Sequence, residues 1–224
     1  MEKKESPNQE IKKEPRVLPK VTIFSGKIFS IIKFIFGLCL LPLVYASSIS
    51  FLNEFSGLDK SSQNNFWAGL ITLLIIYLFI WEPTIIYVKG QKILEIIFSF
   101  FKPLVRVAPY VLPVYTLILF FGYWAVSFIS KSPKVLNYFL FLFGFSMGLH
   151  LIFGAKSLRT RQQDFLKANY IFGFSFVYIL NLILTALILN FIFAQFSIVN
   201  FLNNSFRSTQ GIFYAVFKQL FLSQ

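Results

Sequence analysis

Five apolar runs separated by short polar segments dominate the chain, at residues 28–51, 66–88, 108–130, 135–155 and 170–196. At about 1.5 Å per residue, each run as a helix is long enough to cross a hydrocarbon core of about 30 Å. The pattern predicts an all-α fold: a polytopic transmembrane helical bundle of about five spans. Trp67, Tyr77, Trp81 and Tyr87 lie in the second run and are expected to serve as aromatic belts at membrane–water interfaces. Pro42 predicts a kink in the first run, and Pro109 and Pro113 open the third. Val44 and Ala46 loosely fit a signal-peptidase site. The length of that run, the extended basic region before it and Lys33 inside it argue instead for a retained span, with Lys33 snorkelling to the interface.

Between the second and third runs the pattern changes. Lys92, Glu95, Ser99, Lys102 and Arg106 recur at spacings of 3, 4, 3 and 4, which draws one polar stripe along a helix otherwise made of Ile, Leu and Phe. This predicts an amphipathic helix over residues 91–106, interfacial or re-entrant, that Pro103 ends or kinks. Residues 1–27 are rich in Lys, Glu and Pro in their first twenty positions and are expected to form a disordered basic cytoplasmic tail. Residues 197–224 are expected to form an amphipathic C-terminal segment lying at the surface, with Ile212, Val216 and Leu220 on its apolar face.

Composition agrees with the membrane reading. The chain is 56% hydrophobic and only 13% charged, against about 25% charged residues in soluble domains. So few ionisable groups do not cover a water-facing surface. The net charge of +12 has two readings, phosphate binding and cytoplasmic accumulation of Lys and Arg. The basic residues sit at the ends of the apolar runs rather than on one contiguous face, so the second is preferred and no nucleic-acid partner is expected. The bias toward the N-terminal side is stronger with five crossings than with six. Cys39 is the only cysteine, which excludes an intrachain disulfide and a cysteine-rich metal site.

Several polar groups fall within the runs. His150, the only histidine, is an intramembrane ionisable group and hence a candidate proton relay or metal ligand. The alternative is a neutral imidazole hydrogen-bonded between helices, and a single histidine does not make a histidine-rich metal site. Gly144 and Gly148 form a GxxxG pattern that lets another backbone approach closely. Asn181 and Thr185 share a helix face, with Asn190 further along, and suit interhelical hydrogen bonds. Glu82 is placed to pair with Lys89 or Lys92. The sequence has no Gly-rich phosphate loop, no GxSxG and no paired-carboxylate site.

The run IIYVKGQKILEIIFSFF resembles the active-site helix of the site-2-protease-like intramembrane zinc metallopeptidases, in which an apolar helix opens with Gly followed by HExxH. APYVLPVYTLILFF and FGFSMGLHLIFGAKSLRTRQQDF are similar to later membrane segments of such proteins, and the likeness covers residues 30–190. The motif's first histidine falls on Gln91, its glutamate on Lys92 and its second histidine on Glu95. In that family the two histidines bind zinc and the glutamate takes a proton from bound water. An ammonium has no lone pair to offer a metal and would repel it.

The charge bias puts the N-terminus on the cytoplasmic side, and the resemblance implies a bacterial inner-membrane protein that has lost the zinc chemistry. No catalytic residue, metal or cofactor is expected. The partners expected are the lipid bilayer and other membrane proteins, held without covalent chemistry. The candidate functional surface is Gln91, Lys92, Glu95, Lys102, Arg106 and His150. A transporter-like or membrane-complex assembly subunit, with Lys92, Glu95 and His150 lining a polar path, is the alternative. A scaffold that recruits a cytoplasmic partner through its tail is a third reading.

Overall fold

A computed structural model describes residues 20–130, 132–160 and 170–222, with side chains from residue 28 onward except those of residues 103, 104, 106 and 160. The tail expected before Lys20 and the polar loop at 161–169 lie outside the described residues. Among those described there is no strand, and the chain forms eight helices. They are α1 (Lys20–Ser56), α2 (Lys60–Ile75), α3 (Thr84–Ile97), α4 (Lys102–Val111), α5 (Val114–Ile129), α6 (Pro133–Thr160), α7 (Tyr170–Ile192) and α8 (Ile198–Phe221). A π-helical turn, Ile76–Ile80, extends α2. Four segments are long and apolar enough to cross a membrane: Ile28–Ser56, Lys60–Ile80, Pro133–Arg159 and Tyr170–Ile192. Helix α5 is apolar but has 16 residues, about 24 Å of rise. The chain is a helical membrane protein.

Prolines set the breaks that hydropathy passes over. The second apolar run leaves its helix at Ile80, where Trp81 turns extended, and Pro83 caps the start of α3. The stripe expected on one helix over 91–106 is carried by two. Helix α3 stops at Ile97, residues 98–101 turn, and α4 restarts with Pro103 in its first turn, where a missing N–H costs no intrahelical bond. The third run is split again at Leu112 and Pro113, between α4 and α5.

The bundle is built on α2 against α6 and on α1 against α7 and α8, with α5 packed on α6. Helices α2 and α6 run parallel at backbone contact. A Cβ added to Gly69 would lie 2.8 Å from the Phe141 carbonyl carbon, and one added to Gly144 3.0 Å from that of Phe66. Gly148 meets the Leu73 side chain in the same seam, 2.8 Å from where its Cβ would be. Phe55, Phe66 and Phe143 then pack in a row of tilted rings beside the glycine contact, their centroids 5.0 and 5.8 Å apart. In a lipid environment close packing replaces the hydrophobic effect as the source of helix association, so these glycines are central to the fold.

Asp59 starts α2 by accepting a hydrogen bond from the Ser62 N–H at 2.9 Å, and that bond holds its carboxyl below the usual carboxylate range. Asp59→Ala is expected to cost about 0.5–2 kcal/mol, read as a lower unfolding midpoint in a denaturing-detergent titration.

Helix α8 packs lengthwise against α1. Ser197 N–H reaches Glu54 Oε2 at 3.3 Å, and the Phe201 ring sits 6.3 Å from that of Phe51. Successive turns of α8 therefore meet successively earlier turns of α1. The small residues Ala46, Ser47 and Ser50 on α1 are buried, as are Phe201 and Ser205 on α8. The two helices pack lengthwise because this small-residue stripe lets them.

Candidate functional site

Helices α3 and α4 form a helical hairpin packed on α5, α6 and α7. Gly90 makes the approach possible, since a Cβ there would lie 2.7 Å from Val114 and 2.8 Å from Tyr115. The Tyr115 hydroxyl donates to the Ile86 carbonyl at 2.6 Å, fixing α3 to α5. Tyr87, expected in an interfacial belt, is instead buried between His150 and Phe153, with ring centroids at 6.1 and 5.7 Å.

The candidate residues divide between two faces. Gln91 is half-buried and its Nε2 donates to the Tyr87 hydroxyl at 3.0 Å. His150 packs against the same tyrosine and is buried. Lys92, Glu95 and Lys102 are exposed, so the structure does not gather Lys92 and Glu95 with His150. The Arg106 side chain lies outside the described residues. A small cavity bounded by Tyr87, Gln91, Leu94, Ser146 and His150 has room for about one water at most, which leaves no space for a substrate.

His150 is engaged by a broken helix. Pro113 has no N–H, and α4 ends before it, so the last carbonyls of α4 lack intrahelical donors. His150 Nε2 lies 3.1 Å from the Tyr110 carbonyl oxygen. A carbonyl only accepts, so the imidazole donates through Nε2–H. The next carbonyl, Val111, accepts from Asn181 Nδ2 of α7 at 3.2 Å, and the same amide group donates to Val177 at 2.8 Å. Nearby, the Thr116 and Ser146 hydroxyls bond at 2.9 Å. Irregular backbone inside an apolar bundle persists only where side chains satisfy its polar groups. The sequence pattern indicated interhelical hydrogen bonds for His150 and Asn181. It did not indicate that their acceptors are neighbouring carbonyls of one proline break.

Glu82 pairs with Lys156 at the end of α6, not with Lys89 or Lys92. The partner is 74 residues away, and only the fold brings the two together. The hydrogen bond from Lys156, followed by that of Thr84, holds the Glu82 carboxyl below its ordinary value of 4.5. The tie is therefore fully present above about pH 4.5 and is lost as pH falls through the lower folded-state value. Both groups are exposed, so the effect on unfolding is expected to be small, in line with surface pairs. The check is a stability–pH profile from pH 7 to 3: Glu82→Gln should lower the neutral plateau slightly, flatten the acid limb by the same small amount and meet the parent curve at low pH.

Zinc does not fit the residues at the motif positions. Gln91 is committed to Tyr87, Lys92 and Glu95 are exposed, and His150 is bonded to a backbone carbonyl. Among the described residues no group of three or more His, Cys, Asp or Glu is placed to hold a metal ion. Comparison with family models, with curated proteins and with solved structures gave no match.

Proposed function

We propose that this chain is a non-catalytic membrane protein, built like a site-2-protease-type metallopeptidase without its zinc centre, that acts by holding a membrane partner against the exposed face of the α3–α4 hairpin. In this reading the N-terminal side of the bundle is cytoplasmic and the protein sits in a bacterial inner membrane. The observation that carries it is the orientation of the three motif positions. Gln91 turns inward to Tyr87, while Lys92 and Glu95 stand exposed, joined on the next helix by Lys102. A helix so arranged offers charged contacts along one edge and apolar contacts along the other, with Ile93, Ile96 and Ile97 exposed beside the charges. Such a surface suits the juxtamembrane part of another protein.

Metal analysis of the purified protein, with an assay on single-span protein substrates, tests the loss of chemistry; bound zinc at one equivalent, or cleavage, would overturn the proposal. Charge reversal at Lys92 and Glu95 tests the surface. Release of co-purifying membrane partners by Lys92→Glu and Glu95→Lys, with unchanged thermal unfolding, is the expected result.

A further inference from the structure

The C-terminal helix presents a problem that the hairpin does not explain. Helix α8 starts at the level of Glu54 and descends along α1, a segment long and apolar enough to cross the membrane. Its Phe201, Ser205 and Thr209 face α1, with burial falling along the helix. Its apolar side, with Leu202, Phe206, Phe213 and Phe217, is exposed and suits lipid. Between those two sides runs a third, polar strip that α1 does not cover: Asn200, Asn203, Asn204 and Arg207, all exposed. None of these four side chains makes a hydrogen bond or ion pair among the described residues.

Depth makes this strip significant. With α8 inserted beside α1, Arg207, nine residues into the helix, would lie about 14 Å below its start, near the middle of a core about 30 Å thick. That is farther from the interface than its own side chain extends. Lys218, eleven residues on, is about 16 Å deeper and reaches the opposite interface. A guanidinium held at mid-depth is costly unless paired, and intramembrane charges typically face other protein groups. The three asparagines add donors and acceptors above it, which suits a polar helix face rather than acyl chains.

We propose that α8 is membrane-inserted and that its Asn200–Arg207 strip seats a transmembrane helix of another protein that carries a carboxylate at mid-depth. Charge identifies the occupant. A second copy of this chain related by a twofold axis along the membrane normal would bring Arg207 against Arg207, and α8 contains no acidic residue. A carboxylate matches the guanidinium fork with two parallel hydrogen bonds. This surface is separate from the α3–α4 hairpin, so the proposal holds or fails independently of the function proposed above.

The test uses the full-length protein in phosphatidylcholine vesicles, with a donor dye on Cys39, the one free and exposed cysteine. Acceptor-labelled leucine-based transmembrane peptides carry Glu, Gln or Leu at their centre. Energy transfer should show at least about tenfold tighter binding of the Glu peptide than of the Leu peptide. Arg207→Leu should abolish that preference, and Arg207→Glu should transfer it to a Lys-bearing peptide, which also shows that the variants remain folded. Equal binding of all peptides would overturn the proposal. So would energy transfer between two copies of the chain that Arg207→Leu removes. A signal that follows added phosphatidylglycerol with no peptide preference would overturn it in favour of a lipid headgroup.

Discussion

Gly69→Val and Gly144→Val are each expected to unfold or separate the α2–α6 pair, with a loss of about 3 kcal/mol or more. Over-packing usually costs about 1–3 kcal/mol because neighbouring side chains change rotamer to make room. Here the obstruction is backbone on both sides: Phe141 and Phe145 against Gly69, Phe66 and Leu70 against Gly144. Backbone does not yield without moving a whole helix. The contact is also reciprocal, since Phe66 and Gly69 on α2 face Gly144 and Phe141 on α6, and one added Cβ already forces the helices apart. The double variant should therefore lose clearly less than the sum of the two single losses. Gly122 and Gly211 provide the control, because a Cβ at either meets nothing within 4 Å. Gly122→Ala is expected to gain about 0.5–1 kcal/mol from helix propensity alone. Unfolding titrations in mixed micelles, following helical circular dichroism, measure all four variants. A Gly144→Val protein as stable as Gly122→Ala would refute the backbone contact.

Much of this architecture was legible because lipid imposes a simple rule. A spanning segment must be apolar over about twenty residues and satisfy its own backbone, so the long helices containing Leu140, Phe143 and Leu189 stand out by hydropathy. The GxxxG pair at Gly144 and Gly148 was legible for the same reason, but its partner was not. Nothing in the periodicity of α6 indicates that Gly69, alone on α2, completes the seam. Pro103 was legible as a break and Pro113 as the opening of a run, while the break at Pro83 was passed over. The consequences of these breaks were hidden, since the groups that compensate for the one at Pro113 lie 40 and 70 residues away on α6 and α7. The polar stripe over 91–106 had correct helical spacing and was still interrupted, because spacing counts residues and cannot register the turn at 98–101. At the candidate site the types of residue were readable, while the split between inward Gln91 and outward Lys92 and Glu95 depends on where Tyr87 is buried.

His150→Phe should destabilise the protein by about 1–3 kcal/mol, and the reason distinguishes a structural histidine from a ligand or proton carrier. Phenylalanine fills the space beside Tyr87 and Phe153 but offers no donor, so the Tyr110 carbonyl is left buried and unpaired, at the cost expected for an unsatisfied polar group. Asn181→Leu should act in the same way through Val111. Part of that loss is offset because Asn181 Oδ1 is itself buried without a partner among the described residues, and leucine removes that penalty. The histidine substitution is therefore expected to be the more severe of the two. His150→Gln retains an N–H donor at similar reach and should recover much of the loss, whereas a metal ligand or proton relay would not be restored by an amide that neither titrates nor binds zinc well. Pro113→Ala supplies the missing N–H and allows α4 and α5 to join, giving the freed carbonyls intrahelical donors. In that background His150→Phe should cost markedly less. A thermodynamic cycle over His150 and Pro113 measures this coupling. Full additivity would show that the imidazole does not stabilise the fold by capping the break.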